Sequence, residues 1–214
     1  MLSGTPSVFV RASGCNLRCG FCDTPYTSWD PEGEDLSIAE IVRQVTAADC
    51  RHIVLTGGEP MLFAELIPLA EQLRRDGHHI TIETAGTLYL PVACDLMSIS
   101  PKLSNSTPPE SRDPRWNRRH EASRNTPAVV RRLMNEYEYQ LKFVIDTPAD
   151  CDEMESYLSD FPEVDRSRVL LMPQGIDLQE LASRAAWLEP TCVDRGVTFC
   201  PRRHIEWFGH TRGT

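Results

Sequence analysis

The 214-residue sequence contains no apolar run long enough to cross a membrane, no internal repeat, no low-complexity tail and no linker that would divide it. These absences exclude a helical membrane protein and a repeat array, and they lead us to expect a single domain over 1–214. A chain of this length buries a sizeable core, roughly 70% of its extended surface by size scaling. Positive charge is scarce. Lys and Arg number 22 against 31 Asp and Glu, a formal charge of −9. That balance disfavours nonspecific binding to nucleic acid, which rests on neutralising phosphates, and makes a small molecule the expected substrate. No room for a signal peptide precedes Cys15. We therefore expect a cytoplasmic protein in a reducing compartment, where thiols survive.

Cysteine is well represented, with eight residues, three of them clustered. Cys15, Cys19 and Cys22 fall in the run Gly14-Cys15-Asn16-Leu17-Arg18-Cys19-Gly20-Phe21-Cys22-Asp23, and no fourth cysteine lies nearby. Thiolates are soft ligands that select iron–sulfur clusters, zinc or copper(I), and a cubane cluster ordinarily takes four. A trio leaves one iron open, and an open coordination position is a reactive one. The alternatives at this stage are a zinc site completed by a distant Cys or His, or plain buried thiols. The two- and three-residue gaps match the paired C-x-x-C ribbons of zinc sites less well. Cys50, Cys94, Cys151, Cys192 and Cys200 stand singly and read as packed or surface thiols.

Strand and helix signals alternate along the chain. Strands are predicted over Ser7–Arg11, His52–Leu55, His79–Glu83, Leu96–Ser100, Tyr139–Ile145 and Val169–Met172. Ser37 and Glu40 form a capping-box signature ahead of Ile38, Ile41, Val42 and Val45 at helical spacing. Further helices are predicted over Leu62–Asp76, closed by Gly77, and over Ala128–Tyr137, Cys151–Leu158 and Leu178–Leu188. This rhythm argues for an α/β fold with a parallel sheet and functional loops at the strand C-termini. Segment 103–126, with Pro108, Pro109 and Pro114 and the basic island Arg112, Arg115, Arg118 and Arg119, reads as a solvated loop or abbreviated crossover, with a nucleic-acid patch as the alternative.

Chemical groups sit where strands end. Thr56-Gly57-Gly58-Glu59-Pro60 offers two glycines for close backbone approach to a ligand and a carboxylate or carbonyl for an ammonium group. Glu83-Thr84-Ala85-Gly86, Ser100-Pro101-Lys102 and Met172-Pro173-Gln174-Gly175 follow at other strand ends. Alone, each is turn chemistry; together they suggest a shared pocket. Lys142, inside an apolar strand, either snorkels outward or faces an anionic partner.

The CxxxCxxC run followed by the GGEP turn resembles the radical S-adenosylmethionine family. Pro6 to Arg11, Cys22-Asp23-Thr24-Pro25-Tyr26 and Ser100-Pro101-Lys102 extend the likeness to its 7-carboxy-7-deazaguanine synthase branch. The resemblance implies an incomplete (β/α) barrel of roughly six strands. It implies a 4Fe-4S cluster on Cys15, Cys19 and Cys22, Mg²⁺ on the Thr24 hydroxyl, and a pterin substrate held by Arg11 at its carboxylate and contacted by Thr56. S-adenosylmethionine would be held by Phe21, Cys22, Asp23, Gly58, Ser100, Pro101, Lys102 and the turn Met172, Pro173, Gln174, Gly175. The implied reaction contracts 6-carboxy-5,6,7,8-tetrahydropterin to 7-carboxy-7-deazaguanine with loss of ammonia, in queuosine biosynthesis. A 5′-deoxyadenosyl radical takes and then returns a hydrogen at C6, and no residue is assigned as acid or base. An electron donor such as flavodoxin and a homodimer are implied as well, with no nucleic acid and no membrane. The branch also implies an upstream strand ending in a Q-G-E-G-like segment, absent before Met1-Leu2-Ser3-Gly4, so we expect either a longer natural product or fewer substrate contacts. The C-terminal run from Trp207 to Thr214 is a candidate cover for the site. A glycyl-radical activase and a noncatalytic metal-binding module remain the competing readings.

Overall fold

Seven parallel strands lie side by side in the order in which the chain makes them, β1 to β7. The computed structural model describes residue 2 and residues 4–212. The strands are β1 (Ser7–Ala12), β2 (His52–Gly57), β3 (His79–Thr84), β4 (Leu96–Ile99), β5 (Tyr139–Ile145), β6 (Val169–Pro173) and β7 (Thr198–Phe199). The helices are α1 (Ile38–Ala47), α2 (Leu66–Arg75), α3 (Pro114–Ser123), α4 (Pro127–Glu136), α5 (Pro148–Ser159), α6 (Leu178–Arg195) and α7 (Arg203–Phe208). The sheet is an incomplete (β/α) barrel, with β1 and β7 as its two edges. It has one strand more than the roughly six expected, because β7 is two residues long and too short to carry a pattern.

Alternation along the strands gives the sheet two unlike faces. Ile53, Leu55, Ile80, Ile82, Met97, Ile99, Leu141, Phe143, Ile145 and Leu171 are wholly buried on one face and form the core with the helices, among them Leu73 of α2, Leu133 of α4 and Leu188 of α6. The residues between them build a polar inner face. Arg11 of β1 is in register with Thr56 of β2, and Glu83 of β3 with Ser98 of β4, itself in register with Gln140 of β5.

The local signals explain most boundaries, with the main departures at α2, α6 and segment 103–126. Ser37 caps α1 by accepting the Glu40 backbone N–H at 3.2 Å. The return half of the box is missing, because the Glu40 carboxylate is taken by Arg43 and Gln44. Before α2 the chain makes a separate 3₁₀ turn, Pro60–Leu62, and α2 starts at Leu66. α6 runs seven residues beyond Leu188, through Pro190, to a left-handed Gly196 at φ 64°. The largest departure is in 103–126, which is not a plain loop. Asp113 accepts the backbone N–H groups of Arg115 and Trp116, Pro114 takes the first helical position, and α3 follows.

Candidate active site

β1 ends at Ala12 and delivers the cysteine loop, and the turn after β2 locks that loop in place. The Gly58 N–H donates to the Ala12 carbonyl at 2.9 Å, the Glu59 N–H to Gly14 at 2.9 Å, and the Gly14 N–H to Thr27 at 2.9 Å. A Cβ on Gly58 would lie 2.0 Å from the Gly14 oxygen, and one on Gly57 2.2 Å from the Ala12 oxygen. The two glycines therefore admit the cysteine loop's own backbone. The carboxylate beside them is not free for an ammonium group either. Glu59 is fully buried and accepts from Met61 N, Thr84 Oγ1 and Ala85 N at 3.0, 2.8 and 2.8 Å. Burial pushes its pKa up while these three donors pull it down.

The three clustered cysteines are free thiols. Burial raises Cys15, against the Leu17 N–H that points at its sulfur, and raises Cys19 to about 12, against the Lys102 ammonium. Thiols held protonated in this way become thiolates only when a metal replaces the proton. Lys102 folds back on Ser100, donating to its carbonyl and hydroxyl at 2.7 and 2.8 Å, so the Ser100-Pro101-Lys102 turn faces the cysteines. Among the described residues no three His, Cys, Asp or Glu side chains converge tightly enough to chelate a single ion. As a donor set, three soft thiolates with no fourth cysteine nearby suit three corners of a cubane with one iron open.

Around Cys22 the chain places oxygen donors. Its sulfur lies 3.2 Å from Ser28 Oγ and 3.8 Å from Thr24 Oγ1. Thr24 Oγ1 also accepts from the Thr27 hydroxyl at 3.2 Å, which leaves it a lone pair for a hard cation. Asp23 is held by the buried Arg202 through a guanidinium–carboxylate contact, and its carbonyl is paired with His210 Nε2 at 2.9 Å. Arg212 reaches Glu32 at 2.7 Å and stacks over Tyr26 at 4.2 Å. The tail thus lies along the cysteine loop through residue 212, while Gly213 and Thr214 are outside the described residues.

On the polar inner face, Lys142 meets an anionic partner, Glu83, at 2.9 Å, and Glu83 also accepts from the Thr56 hydroxyl at 2.9 Å. The Lys142 ammonium, assisted by Thr56 and the charge of Arg11, holds the Glu83 carboxyl down near 2 against its burial. Among the described residues Arg11 has no carboxylate in contact, and it lines an open cleft of about 420 Å³ with Phe9, Ser13, Tyr26, Glu32 and Arg212. Of the last expected group, Met172 and Pro173 end β6 and the Gln174 N–H donates to Ile145, so this turn lies at the strand C-termini of the same sheet. Gly175 adopts φ 130° against Leu181 and Arg184 of α6.

Several residues of the site carried no signal of their own. Glu83 was legible as part of the strand-end run Glu83 to Gly86, but its pairing with Lys142 was not. Trp29, whose indole N–H donates to the Cys19 carbonyl at 2.9 Å, and His120, which is fully buried against the loop, had none. The Asp113-Pro114 pair, a cap followed by a first-turn proline, would have announced the helix that carries His120. The isolated cysteines behave as read: Cys151 and Cys192 are buried, and burial lifts both to about 11.

Residues 9–154 match the family model of the radical SAM superfamily. The chain is 44% identical over its whole length to the 7-carboxy-7-deazaguanine synthase of Rhodopirellula baltica, covering 83% of that protein. It is 41% identical to the 7-carboxy-7-deazaguanine synthase of Halobacterium salinarum, over 95% of this chain and 83% of that one. In fold it is similar to the crystal structure of QueE from Escherichia coli, with a TM-score of 0.67 at 20% identity, covering 93% of this chain and 86% of that one.

Proposed function

Since the chain belongs to the 7-carboxy-7-deazaguanine synthase family of the radical S-adenosylmethionine superfamily, we propose that its cysteine loop and polar inner face form one active site with the roles given below. It is a radical S-adenosylmethionine lyase of queuosine biosynthesis, contracting 6-carboxy-5,6,7,8-tetrahydropterin to 7-carboxy-7-deazaguanine with loss of ammonia. The observation that carries the site assignment is the set of backbone bonds from Gly58 and Glu59 to Ala12 and Gly14, which fixes the thiols beside the face that bears Arg11, Thr56 and Glu83.

When bound, a 4Fe-4S cluster with S-adenosylmethionine supplies the one-electron chemistry that removes and returns the C6 hydrogen, and Mg²⁺ supplies charge neutralisation at the substrate carboxylate. Cys15, Cys19 and Cys22 would hold three irons, and Thr24 the Mg²⁺ through its hydroxyl. The backbone of Phe21, Cys22 and Asp23, with Gly58, Ser100, Pro101 and Lys102, would bind S-adenosylmethionine, and the Met172, Pro173, Gln174, Gly175 turn would complete that pocket. Arg11, free of any carboxylate partner within the site, would grip the substrate carboxylate with its planar fork. Thr56 would contact the pterin, and Glu83, kept ionised by Lys142 and accepting from the Thr56 hydroxyl, would accept hydrogen bonds beside it. Arg212 of the tail lines the cleft beside Arg11.

A cytoplasmic location, a homodimer and reduction by a flavodoxin-type donor belong to the same proposal, as does the treatment of 1–214 as one domain. Among the described residues no helix is long and apolar enough to cross a membrane. The test is anaerobic turnover of the reconstituted protein, with the product identified by mass spectrometry. Formation of 7-carboxy-7-deazaguanine, lost in Cys15→Ala, supports the reading; substrate returned unchanged with a full cluster opposes it.

A further inference from the structure

The helix that the sequence concealed carries an unusual surface. Most arginines of this protein have a carboxylate within 4 Å. Among the described residues Arg112, Arg115, Arg118 and Arg119, on and just before α3, have none. The acids near them are few: Asp113 caps α3, Glu121 is gripped by Arg124 and Thr107, Glu110 remains in the segment, and Asp30 follows Trp29, where its charge acts on Arg18. Helix electrostatics do not account for Arg115 either. Arg115 sits in the first turn of α3, where the helix dipole disfavours a cation, and Arg115 and Arg119 are like charges at i,i+4.

The patch lies on the cysteine loop itself. Arg18 spans the two, donating to the Cys15 carbonyl at 2.7 Å while its guanidinium stacks on Trp116 at 4.2 Å; Arg119 stacks on the same ring at 4.7 Å. Arg112 stacks on Trp29 at 3.7 Å, and Trp29 donates to the Cys19 carbonyl. Arginine and tryptophan are the side chains that interfaces favour, and stacked guanidinium groups are held outward with little entropy left to lose. A local excess of positive charge on a chain of formal charge −9 is a steering patch for a partner of opposite sign.

We infer that Arg112, Arg115, Arg118 and Arg119, with Trp29 and Trp116, form the docking surface for an acidic electron-carrier protein bearing a reduced flavin. The inference rests on the radical chemistry proposed above, which consumes one electron at the thiolate loop. In the docked complex one electron leaves the fully reduced flavin, which becomes one-electron oxidised, and enters the cluster, whose charge falls from 2+ to 1+. Placing the dock on the backbone that carries the cluster thiolates keeps that transfer short. Nucleic acid is the alternative ligand for such a patch. It is disfavoured because the rest of this acidic chain would repel an extended polyanion, whereas a carrier protein needs only one acidic face.

The test uses the reconstituted holoenzyme and flavodoxin as the probe. Binding is measured calorimetrically for the wild type, for Arg115→Glu/Arg118→Glu/Arg119→Glu, and for the gentler Arg115→Gln/Arg118→Gln/Arg119→Gln, each checked for iron content. We expect the Glu variant to weaken binding by at least about tenfold and the Gln variant to weaken it less, with the wild-type affinity falling steeply between about 50 and about 300 mM salt. Turnover driven by dithionite should stay within about twofold of wild type in both variants. Unchanged flavodoxin affinity in the Glu variant would overturn the inference, as would tighter binding of a labelled tRNA that the same substitutions abolish. Because the binding readout needs no turnover, failure of the pterin reaction would count against the family chemistry alone.

Discussion

The backbone N–H of Arg18, one residue before Cys19, donates to Nδ1 of His120 at 3.1 Å, across 102 residues of chain. With Nδ1 accepting, the ring proton sits on Nε2 and is donated to Ser106 Oγ at 2.9 Å, which fixes one neutral tautomer. The Ser106 carbonyl in turn accepts the Gly20 N–H at 2.8 Å, so His120 and Ser106 clamp both sides of Cys19. His120→Ala leaves the Arg18 N–H without its acceptor and removes the ring donor from Ser106 Oγ, which keeps its own bond to the Leu103 carbonyl at 2.6 Å. We expect a loss of about 1–3 kcal/mol in urea unfolding of the apoprotein and faster iron loss from the reconstituted protein. An unchanged urea midpoint would show that the clamp is dispensable.

The same histidine makes stability depend on pH. Burial, chiefly, with help from the Arg124 and Lys102 charges and partial opposition from Glu121, pushes its pKa from 6.5 down to about 4. Between those values the unfolded chain binds more protons than the folded one. The contribution is therefore fully present above about pH 6.5 and is lost as pH falls toward about 4. Urea unfolding of the apoprotein at about pH 7 and about pH 5 should show a larger drop for wild type than for His120→Gln. Equal drops would place the titration elsewhere.

Gly58→Ala puts a methyl group 2.0 Å from the Gly14 oxygen and 2.5 Å from that of Thr27. The contacts are backbone, so the loop itself must move. We expect a penalty of about 3 kcal/mol or more and a failure to retain iron. Wild-type iron content and stability in this variant would contradict the close approach.

Arg11→Lys keeps the charge and removes the fork that suits a carboxylate. The expected result is a KM for the pterin raised by about tenfold or more with little change in S-adenosylmethionine binding. Thr24→Ala should instead weaken the Mg²⁺ stimulation of turnover at unchanged cluster content. Wild-type kinetics in Arg11→Lys would make Arg11 a surface residue of an edge strand.

The sequence made the sheet legible because buried parallel strands are short apolar runs between turn signals, as at Ile53–Leu55 and Leu141–Ile145. The cysteine trio, the glycine turn and the odd Lys142 were legible because each breaks a local rule. What the sequence hid were relationships between distant segments. Nothing near Gly57 and Gly58 says that their missing side chains make room for Ala12 and Gly14, and nothing near Glu59 says that its carboxylate is spent on Met61, Thr84 and Ala85. α3 was hidden because Pro108, Pro109 and Pro114 mask it and because its mean hydropathy is low, so that it lacks the apolar stripe that marks a packed helix.

The central claim is that Cys15, Cys19 and Cys22 hold a cluster with one open iron. Iron, acid-labile sulfide and zinc measured together on the anaerobically reconstituted protein test it most directly. The account predicts about four iron and about four sulfide per chain, both collapsing when any one of the three is replaced by Ala while Cys94→Ala retains them. One zinc per chain without sulfide, or a cluster that survives Cys19→Ala, would contradict it.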